Sequence, residues 1–398
     1  MSKAMYPEEL KDPNVYNKKL YAYIEEMNSR IGEVWCWEID KTRTDDTWHY
    51  SNRLVTEDLI RHFCDAYGET NPLFRDPTYA RRTRYGSIIA PPYFITCITP
   101  SAIGLEPDDL PSVGFNGGAD YEWFKVMRPG DEIHGYDTWL GFGEKKRAEN
   151  LPRMFVGTIK RTYINQRDEV VTNVYGRELR FNIPPNERGL LYAGTGPSAE
   201  KVMSLKPWKY SKKELEKITR TYEEMEKTRR GANIRWWEDV IVGEEPGTVV
   251  QGPFDLIDVA AFMNVQGYFT MAFGIKWKRI WNHTRFTLTE HGTSAWEPHL
   301  RDHEGHGQIL TQSAQSEAGV QHLICNWAGD DGFLKKMSCQ ARRIMLVGDT
   351  SWIRGKVIKK YIQDGEHLID LEINCTSQRN VTHMLATATV RLVSREAG

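Results

Sequence analysis

The amino-acid sequence predicts an α+β protein built from two similar modules, each packing a helix against a curved antiparallel sheet. The order of elements in the first half of the chain recurs in the second half. Each half also begins with apolar residues at helical spacing and continues with β-branched and aromatic runs broken by Gly, Asn and Asp. Such a sheet has one apolar face, and a helix packed on that face would cover it.

The repeat is visible in two pairs of segments. LIRHFCDAYG at 59–68 is echoed by DVAAFMNVQG at 258–267, and MRPGDEIHGYDTWLGF at 127–142 is echoed by MLVGDTSWIRGKVIKK at 345–360. The offset is larger in the second pair, so the second module carries extra residues in its middle. Few residues are identical, but the elements keep their order, which indicates two related modules.

We therefore divide the chain into three parts. An N-terminal module covers 1–181, a linker covers 182–232, and a C-terminal module with a histidine-rich insertion covers 233–398. The second half of the linker, SKKELEKITRTYEEMEKTRRG, contains many Glu and Lys pairs at i,i+4. This pattern predicts a charged helix that connects the modules and lies in solvent.

The first helix of the N-terminal module is predicted over 56–67. Thr56 is a candidate N-cap with two acids in the first turn, and the apolar residues at helical spacing are Leu59, Ile60, Phe63 and Tyr67. A second apolar helix is predicted at 93–105, with a counterpart at 314–328. The strands follow these helices in each module.

Composition excludes several classes of function. The net charge of −2 gives no basic field for nucleic acid, and no run of about 18 apolar residues predicts a membrane span. The N-terminus lacks the apolar core of a signal peptide. Six cysteines without a C-x-x-C pair indicate reduced thiols in a cytoplasmic protein. Neither a P-loop nor a dinucleotide-binding glycine motif nor a G-x-S-x-G elbow occurs in the sequence.

The segment FCDAYGETNPLFRDPTYARRTRYGSIIAPPYF at 63–94 resembles the signature of the MaoC-like and (R)-specific enoyl-CoA hydratases. The spacing fits without a gap, and the matching residues are Gly68, Glu69, Asn71, Pro72, Phe74, Asp76, Tyr79, Ala80, Tyr85 and Gly86. The resemblance implies a double hot-dog fold, in which two antiparallel sheets each wrap around a central helix and a helical linker joins the halves. It also implies an acyl-CoA substrate.

Three residues depart from the family pattern. Glu69 stands where the family has its catalytic Asp, and Phe74 stands where it has its catalytic His. Pro91 falls where the family places a Gly amide that binds the thioester oxygen, and proline has no N–H to donate. The resemblance thus implies a catalytic role for Glu69 and substrate contacts for Asn71, Phe74 and Tyr93. Two alternatives stay open: Glu69 as a surface acid, and Asn71 as a turn residue that caps backbone groups.

A second candidate site lies in the insertion of the C-terminal module. Five of the chain's eleven histidines fall within 281–308, and the segment EPHLRD there places His299 close to Asp302. The segment lies where some double hot-dog relatives have a His followed by an acid before their central helix, so the resemblance implies His299 and Asp302 as catalytic groups, with His303 as a substitute. The backbone N–H groups of Ser313 and Ala314, at the start of the following helix, would bind the thioester oxygen. A polar surface loop is the alternative; a metal site is disfavoured because glycines and a proline interrupt the segment.

The predicted function is the addition or removal of water across a 2-enoyl thioester. A carboxylate would act as base and an imidazole as proton donor to the α-carbon. The many aromatic residues favour a bulky or aromatic acyl group, although core packing would also account for them. The alternatives are a hot-dog acyl-CoA thioesterase and a non-catalytic acyl-CoA-binding subunit. We expect no metal and no cofactor beyond the coenzyme A of the substrate, and a homodimer formed through free sheet edges.

Overall fold

The structure, a computed structural model of the chain, describes residues 12–36, 52–99, 112–146, 153–182, 208–266 and 311–396. The elements of the first half are α1 (Pro13–Ser29), β1 (Val34–Cys36), α2 (Glu57–Tyr67), α3 (Pro72–Arg75), α4 (Pro77–Ala80), a 3₁₀ turn (Pro92–Phe94) leading into α5 (Ile95–Ile98), β2 (Ser112–Trp123), β3 (Ile133–Lys145), β4 (Met154–Asn165) and β5 (Val170–Asn182).

The second half repeats this order of helices and strands. Its elements are α6 (Lys212–Thr228), a 3₁₀ turn (Trp237–Asp239), β6 (Thr248–Gln251), α7 (Leu256–Val265), α8 (Ser313–Ala328), β7 (Phe333–Ala341), β8 (Ser351–Gln363), β9 (Glu366–Ser377) and β10 (Thr382–Arg391).

The strands form one antiparallel sheet in the order β1-β3-β4-β5-β2-β7-β10-β9-β8-β6. The two halves meet where β2 pairs with β7, with Tyr121 opposite Met337. Read outward from this junction, each half has the same sequence of strands. This symmetry and the helices packed on the sheet confirm the predicted α+β class and its two similar modules. The division at 182 and 232 stays a prediction.

Helix α2 forms for the reasons that its sequence predicts. Thr56 is the N-cap and its Oγ1 accepts the N–H of Leu59 at 3.1 Å. The helix ends at Gly68, whose φ of 79° is in the left-handed region that glycine tolerates. The apolar face is buried as predicted, with Ile60 and Phe63 inside the core.

The second predicted helix of the first module, at 93–105, is shorter than expected in its described part. It begins as the 3₁₀ turn after Pro91, and α5 ends at Ile98 because Thr99 has extended backbone angles. Its counterpart at 314–328 is confirmed as α8, which is buried along almost its whole length. In the second half, α8 packs against β6, β7 and β8.

The charged helix α6 is present, but it is more than a solvated connector. Ile218 and Met225 on this helix are buried, and the N–H of Val250 lies 3.3 Å from Met225 Sδ. The i,i+4 charge pattern concealed this narrow apolar stripe, which packs on β6. In the part of the chain that the structure describes, no helix has the length and apolar character needed to cross a bilayer.

Candidate active site

The motif segment at 68–77 lies at the junction of the two halves. The left-handed Gly68 turns the chain out of α2, and the N–H of Glu69 donates to the carbonyl of Cys64 at 2.8 Å. This turn directs the Glu69 carboxyl inward, where it is 0% exposed. The interpretation of Glu69 as a surface acid is therefore wrong, because the turn after α2 buries it.

Two donors hold the Glu69 carboxylate. The N–H of Asn71 donates to Oε1 at 2.9 Å, and the hydroxyl of Tyr67 donates to Oε2 at 3.4 Å. The side chain of Asn71 has another role, because its Oδ1 accepts the N–H of Leu73 at 3.0 Å and caps α3. The turn-forming alternative for Asn71 thus describes its side chain, while its backbone fixes the acid.

His322, on α8 of the second half, faces the same carboxylate. Its Nε2 lies 3.5 Å from Glu69 Oε1, and its side chain is 1% exposed. Within the described residues, neither Nδ1 nor Nε2 has a hydrogen-bond partner. The imidazole packs edge-on against the Tyr67 ring with centroids 6.1 Å apart. The structure therefore brings an acid and an imidazole together from opposite halves of the chain.

A second link between the halves runs through Gln321. Its Oε1 accepts the backbone N–H of Tyr93 at 2.7 Å, and its Nε2 donates to the hydroxyl of Tyr67 at 3.2 Å. Because the amide nitrogen donates to Tyr67, the hydroxyl proton of Tyr67 is free to point at Glu69. Gln321 thereby orients the tyrosine that holds the acid.

One turn earlier on α8, Glu317 forms a second buried acidic centre. Its Oε2 accepts hydrogen bonds from the hydroxyls of Tyr121 at 2.7 Å and Tyr93 at 3.0 Å. Burial raises the pKa of the Glu317 carboxyl to about 7, against the opposing effect of the two hydroxyl donors. A carboxyl of this kind exchanges protons near neutral pH.

A cleft of about 50 Å³ opens beside these groups. Its apolar walls include four aromatic side chains, Phe74, Tyr85, Trp123 and Phe333. Neither Glu69 nor His322 lines it, but Asn71 and Cys325 do. Asn71 holds the Glu69 carboxylate through its N–H, and Cys325 lies three residues after His322 on the same helix face.

The structure places the other predicted site residues in different ways. Phe74 lines the cleft, and Tyr93 is fully buried between Glu317 and Gln321. Ser313 and Ala314 begin α8, roughly 13 Å along the helix axis from His322 at 1.5 Å per residue. His299, Asp302 and His303 lie outside the described residues, so their roles stay predictions.

Sequence reasoning missed the polar residues of α8. The buried polar residues of this helix include Glu317 and, four and five residues after it, Gln321 and His322. Polar side chains that recur on one side of a buried helix are a signal of a buried network or site. That signal was present in SEAGVQHL at 316–323.

Comparison with known proteins identifies related sequences for part of the chain. Residues 45–174 match a family model described as "FAS1-like, dehydratase domain region". The chain is 29% identical over 153 residues to the "Probable enoyl-CoA hydratase alpha subunit" of Thermomonospora curvata, which takes in 34% of this chain and 47% of that subunit. A Thermobifida fusca protein named "UPF0336 protein" is 42% identical over 85 residues, 20% of this chain and 55% of that protein. The chain thus spans about half the length of these curated relatives.

Solved structures show the same fold over nearly the whole chain. A "MaoC-like dehydratase" superposes with a TM-score of 0.59 and 14% identity, over 92% of this chain and 100% of that one. A putative MaoC domain protein dehydratase from Chloroflexus aurantiacus superposes with a TM-score of 0.51 and 15% identity, over 92% and 96% of the two chains. At these identities the likeness concerns the fold, which is a double hot-dog.

Proposed function

We propose that the chain belongs to the MaoC-like dehydratase family, in its double hot-dog form, and that it adds or removes water across the double bond of a 2-enoyl-coenzyme A thioester. The observation that carries this proposal is the buried Glu69 carboxylate, which occupies the position of the family's acid and is held by the Asn71 N–H. A fixed carboxylate in a dry site is suited to take a proton from water in the hydration direction.

The cleft supports an apolar acyl group. Its aromatic walls would pack against the acyl chain, and Asn71 at its edge would bring the reacting carbons next to Glu69. A preference for bulky or aromatic acyl groups is the finer part of the proposal. The Ser313 and Ala314 amides as thioester-oxygen donors, the homodimer and the cytoplasmic location stay predictions.

The test is a panel of 2-enoyl-CoA esters with short, branched, aromatic and polycyclic acyl groups. Loss of enone absorbance measures hydration, and a chromogenic thiol reagent measures release of free coenzyme A. We expect enone loss without thiol release, and we expect Glu69→Gln to abolish it. Asp65→Asn is the matched control, since Asp65 is an exposed acid on α2 that pairs with Arg75 at 2.7 Å. Thiol release in place of enone loss would make the protein a thioesterase, and neither signal would leave only a binding role.

A further inference from the structure

The motif lacks its imidazole, because Phe74 fills the position of the family's histidine. We propose that His322 takes over the proton-transfer role that Phe74 cannot perform, so that one active site is assembled from the motif of the first half and the central helix of the second. This inference rests on the proposed hydro-lyase function and names a catalytic residue that the motif does not contain.

The first support is position. His322 Nε2 lies 3.5 Å from Glu69 Oε1, although the two residues are far apart in the sequence. The packing of α8 against α2 brings them together, with the Tyr67 ring in contact with the imidazole. An acid and an imidazole at this separation can act on two atoms of one substrate, or on a water and a carbon beside it.

The second support is that no hydrogen bond ties His322 to Glu69 in a purely structural contact. The Glu69 oxygens already accept the Asn71 N–H and the Tyr67 hydroxyl. The contact between His322 Nε2 and Glu69 Oε1, at 3.5 Å, does not have hydrogen-bond geometry, and neither ring nitrogen has a hydrogen-bond partner within the described residues. A buried polar group without a partner destabilises the folded state, so its presence calls for a functional explanation.

The third support is the cleft. Cys325, three residues along α8, lines it from the histidine side, and Asn71 lines it from the acid side. Phe74 also forms part of its wall. A thioester seated against Phe74 therefore has Glu69 and His322 side by side behind the lining of the cleft, next to Asn71 and Cys325. Phe74 would shape the acyl site while the imidazole comes from α8.

The chemistry balances with these two groups alone. In hydration, the Glu69 carboxylate takes one proton from water while the hydroxyl oxygen bonds to C3. The electron pair of the C2–C3 double bond forms a C–H bond at C2 with the proton that protonated His322 gives up. Glu69 then holds a proton and His322 has lost one, and transfer across the short gap between them restores the starting state. Dehydration follows the same steps in reverse.

The experiment compares His322→Phe, His322→Gln and Glu69→Gln with the wild-type chain on the enoyl-CoA panel. His62→Gln is the matched control, because His62 is an exposed histidine on α2. We expect both His322 variants to lose roughly 10²- to 10⁴-fold in kcat, the typical contribution of a positioned acid–base group. His62→Gln should keep wild-type turnover. Turnover within threefold of wild type in His322→Phe would overturn the assignment.

A second readout separates a catalytic from a structural role and does not depend on turnover. Phenylalanine fills the space of the imidazole and removes both unpartnered nitrogens, so His322→Phe should unfold at the same denaturant concentration as wild type or a higher one. Earlier unfolding would identify His322 as a structural partner of Glu69 and overturn the inference. Failure of the proposed function has a different signature, namely a wild-type chain that turns over no ester in the panel.

Discussion

The backbone N–H of Tyr93 donates to Gln321 Oε1 at 2.7 Å, which closes the start of the first half's central helix to a substrate. Pro91 and Pro92 precede Tyr93 and have no N–H. Of the three residues at this helix start, two have no N–H and the third already donates its N–H to Gln321, so none offers a free donor to a substrate. In this half, the helix start is instead attached to α8 through the side chain of Gln321. The same side chain also orients Tyr67.

Replacing Gln321 should weaken the attachment of this helix start to α8 and destabilise the fold. Gln321→Leu keeps the approximate side-chain size but leaves the Tyr93 N–H buried without an acceptor. We expect the free energy of unfolding to fall by about 1–3 kcal/mol, the usual cost of one unpaired buried group. Urea denaturation measures it, with Gln363→Leu at the exposed end of β8 as control. Equal denaturation midpoints for the two variants would contradict the role of Gln321.

Removing the hydroxyl of Tyr67 should weaken catalysis without disturbing the fold. Its hydrogen bond to Glu69 is long, at 3.4 Å, so Tyr67→Phe should lower kcat/KM only about two- to tenfold, corresponding to roughly 0.5–1.5 kcal/mol. Tyr361→Phe removes a similar bond to Asp370 at 3.2 Å, far from the motif, and should leave the rate unchanged. Steady-state kinetics on the enoyl-CoA ester with the highest kcat/KM measures both effects. Identical kcat/KM in the two variants would refute a positioning role for Tyr67.

Glu317 gives the protein a predictable pH dependence of stability. Its pKa is raised from 4.5 to about 7 in the folded state by burial, so the folded chain binds this proton more tightly than the unfolded chain. The stabilisation from the protonated carboxyl is complete below pH 4.5 and is lost as the pH rises to 7. The charged or titratable groups around it include Tyr93, Tyr121, Asp120, Arg177, Cys339 and Cys375.

Glu317→Gln removes this titration and keeps a polar side chain between the two tyrosines. The difference in unfolding free energy between wild type and variant should therefore change by about 3 kcal/mol between pH 4.5 and pH 7, with wild type losing the stability. Chemical denaturation at a series of pH values measures the difference. Parallel stability curves for the two proteins would show that Glu317 ionises normally.

Local patterns predicted much of the fold. The cap at Thr56, the end of α2 at Gly68 and the strands with their turns all follow from short-range chemistry. Helix α6 was harder, because only Ile218 and Met225 are buried in a helix that carries many charges. They are buried because β6 packs beside them, and the sequence of the helix alone does not reveal this tertiary contact.

The candidate site, too, was predicted only where neighbouring residues in the sequence form a pattern. Glu69 was found because its neighbours in the sequence form a recognisable motif. His322 was not found, because its contact with Glu69 depends on how the two halves pack. No motif or fixed spacing in the sequence links the two residues. Gln321 and Glu317 were missed for the same reason, although polar residues in a buried helix were a visible sign.

Cys325 tests whether the cleft beside Phe74 holds the acyl group. Burial raises the pKa of its thiol well above the usual range, and Glu69 raises it further, so the thiol does not act as a nucleophile. Cys325→Ser, of equal size, should therefore keep wild-type kinetics. Cys325→Leu adds two heavy atoms to the cleft wall and should lower kcat/KM at least about 10- to 200-fold for large acyl groups, the range that a single methylene gives in an apolar pocket.

The loss in Cys325→Leu should fall mainly on KM, because Glu69 and the proposed donor His322 are untouched. Short acyl groups that do not reach the wall should be affected least, so the ratio of kcat/KM between short and bulky esters is the measured quantity. An unchanged ratio would place the acyl group elsewhere. A large loss in Cys325→Ser would instead mean that the thiol itself takes part, against the direction of its pKa.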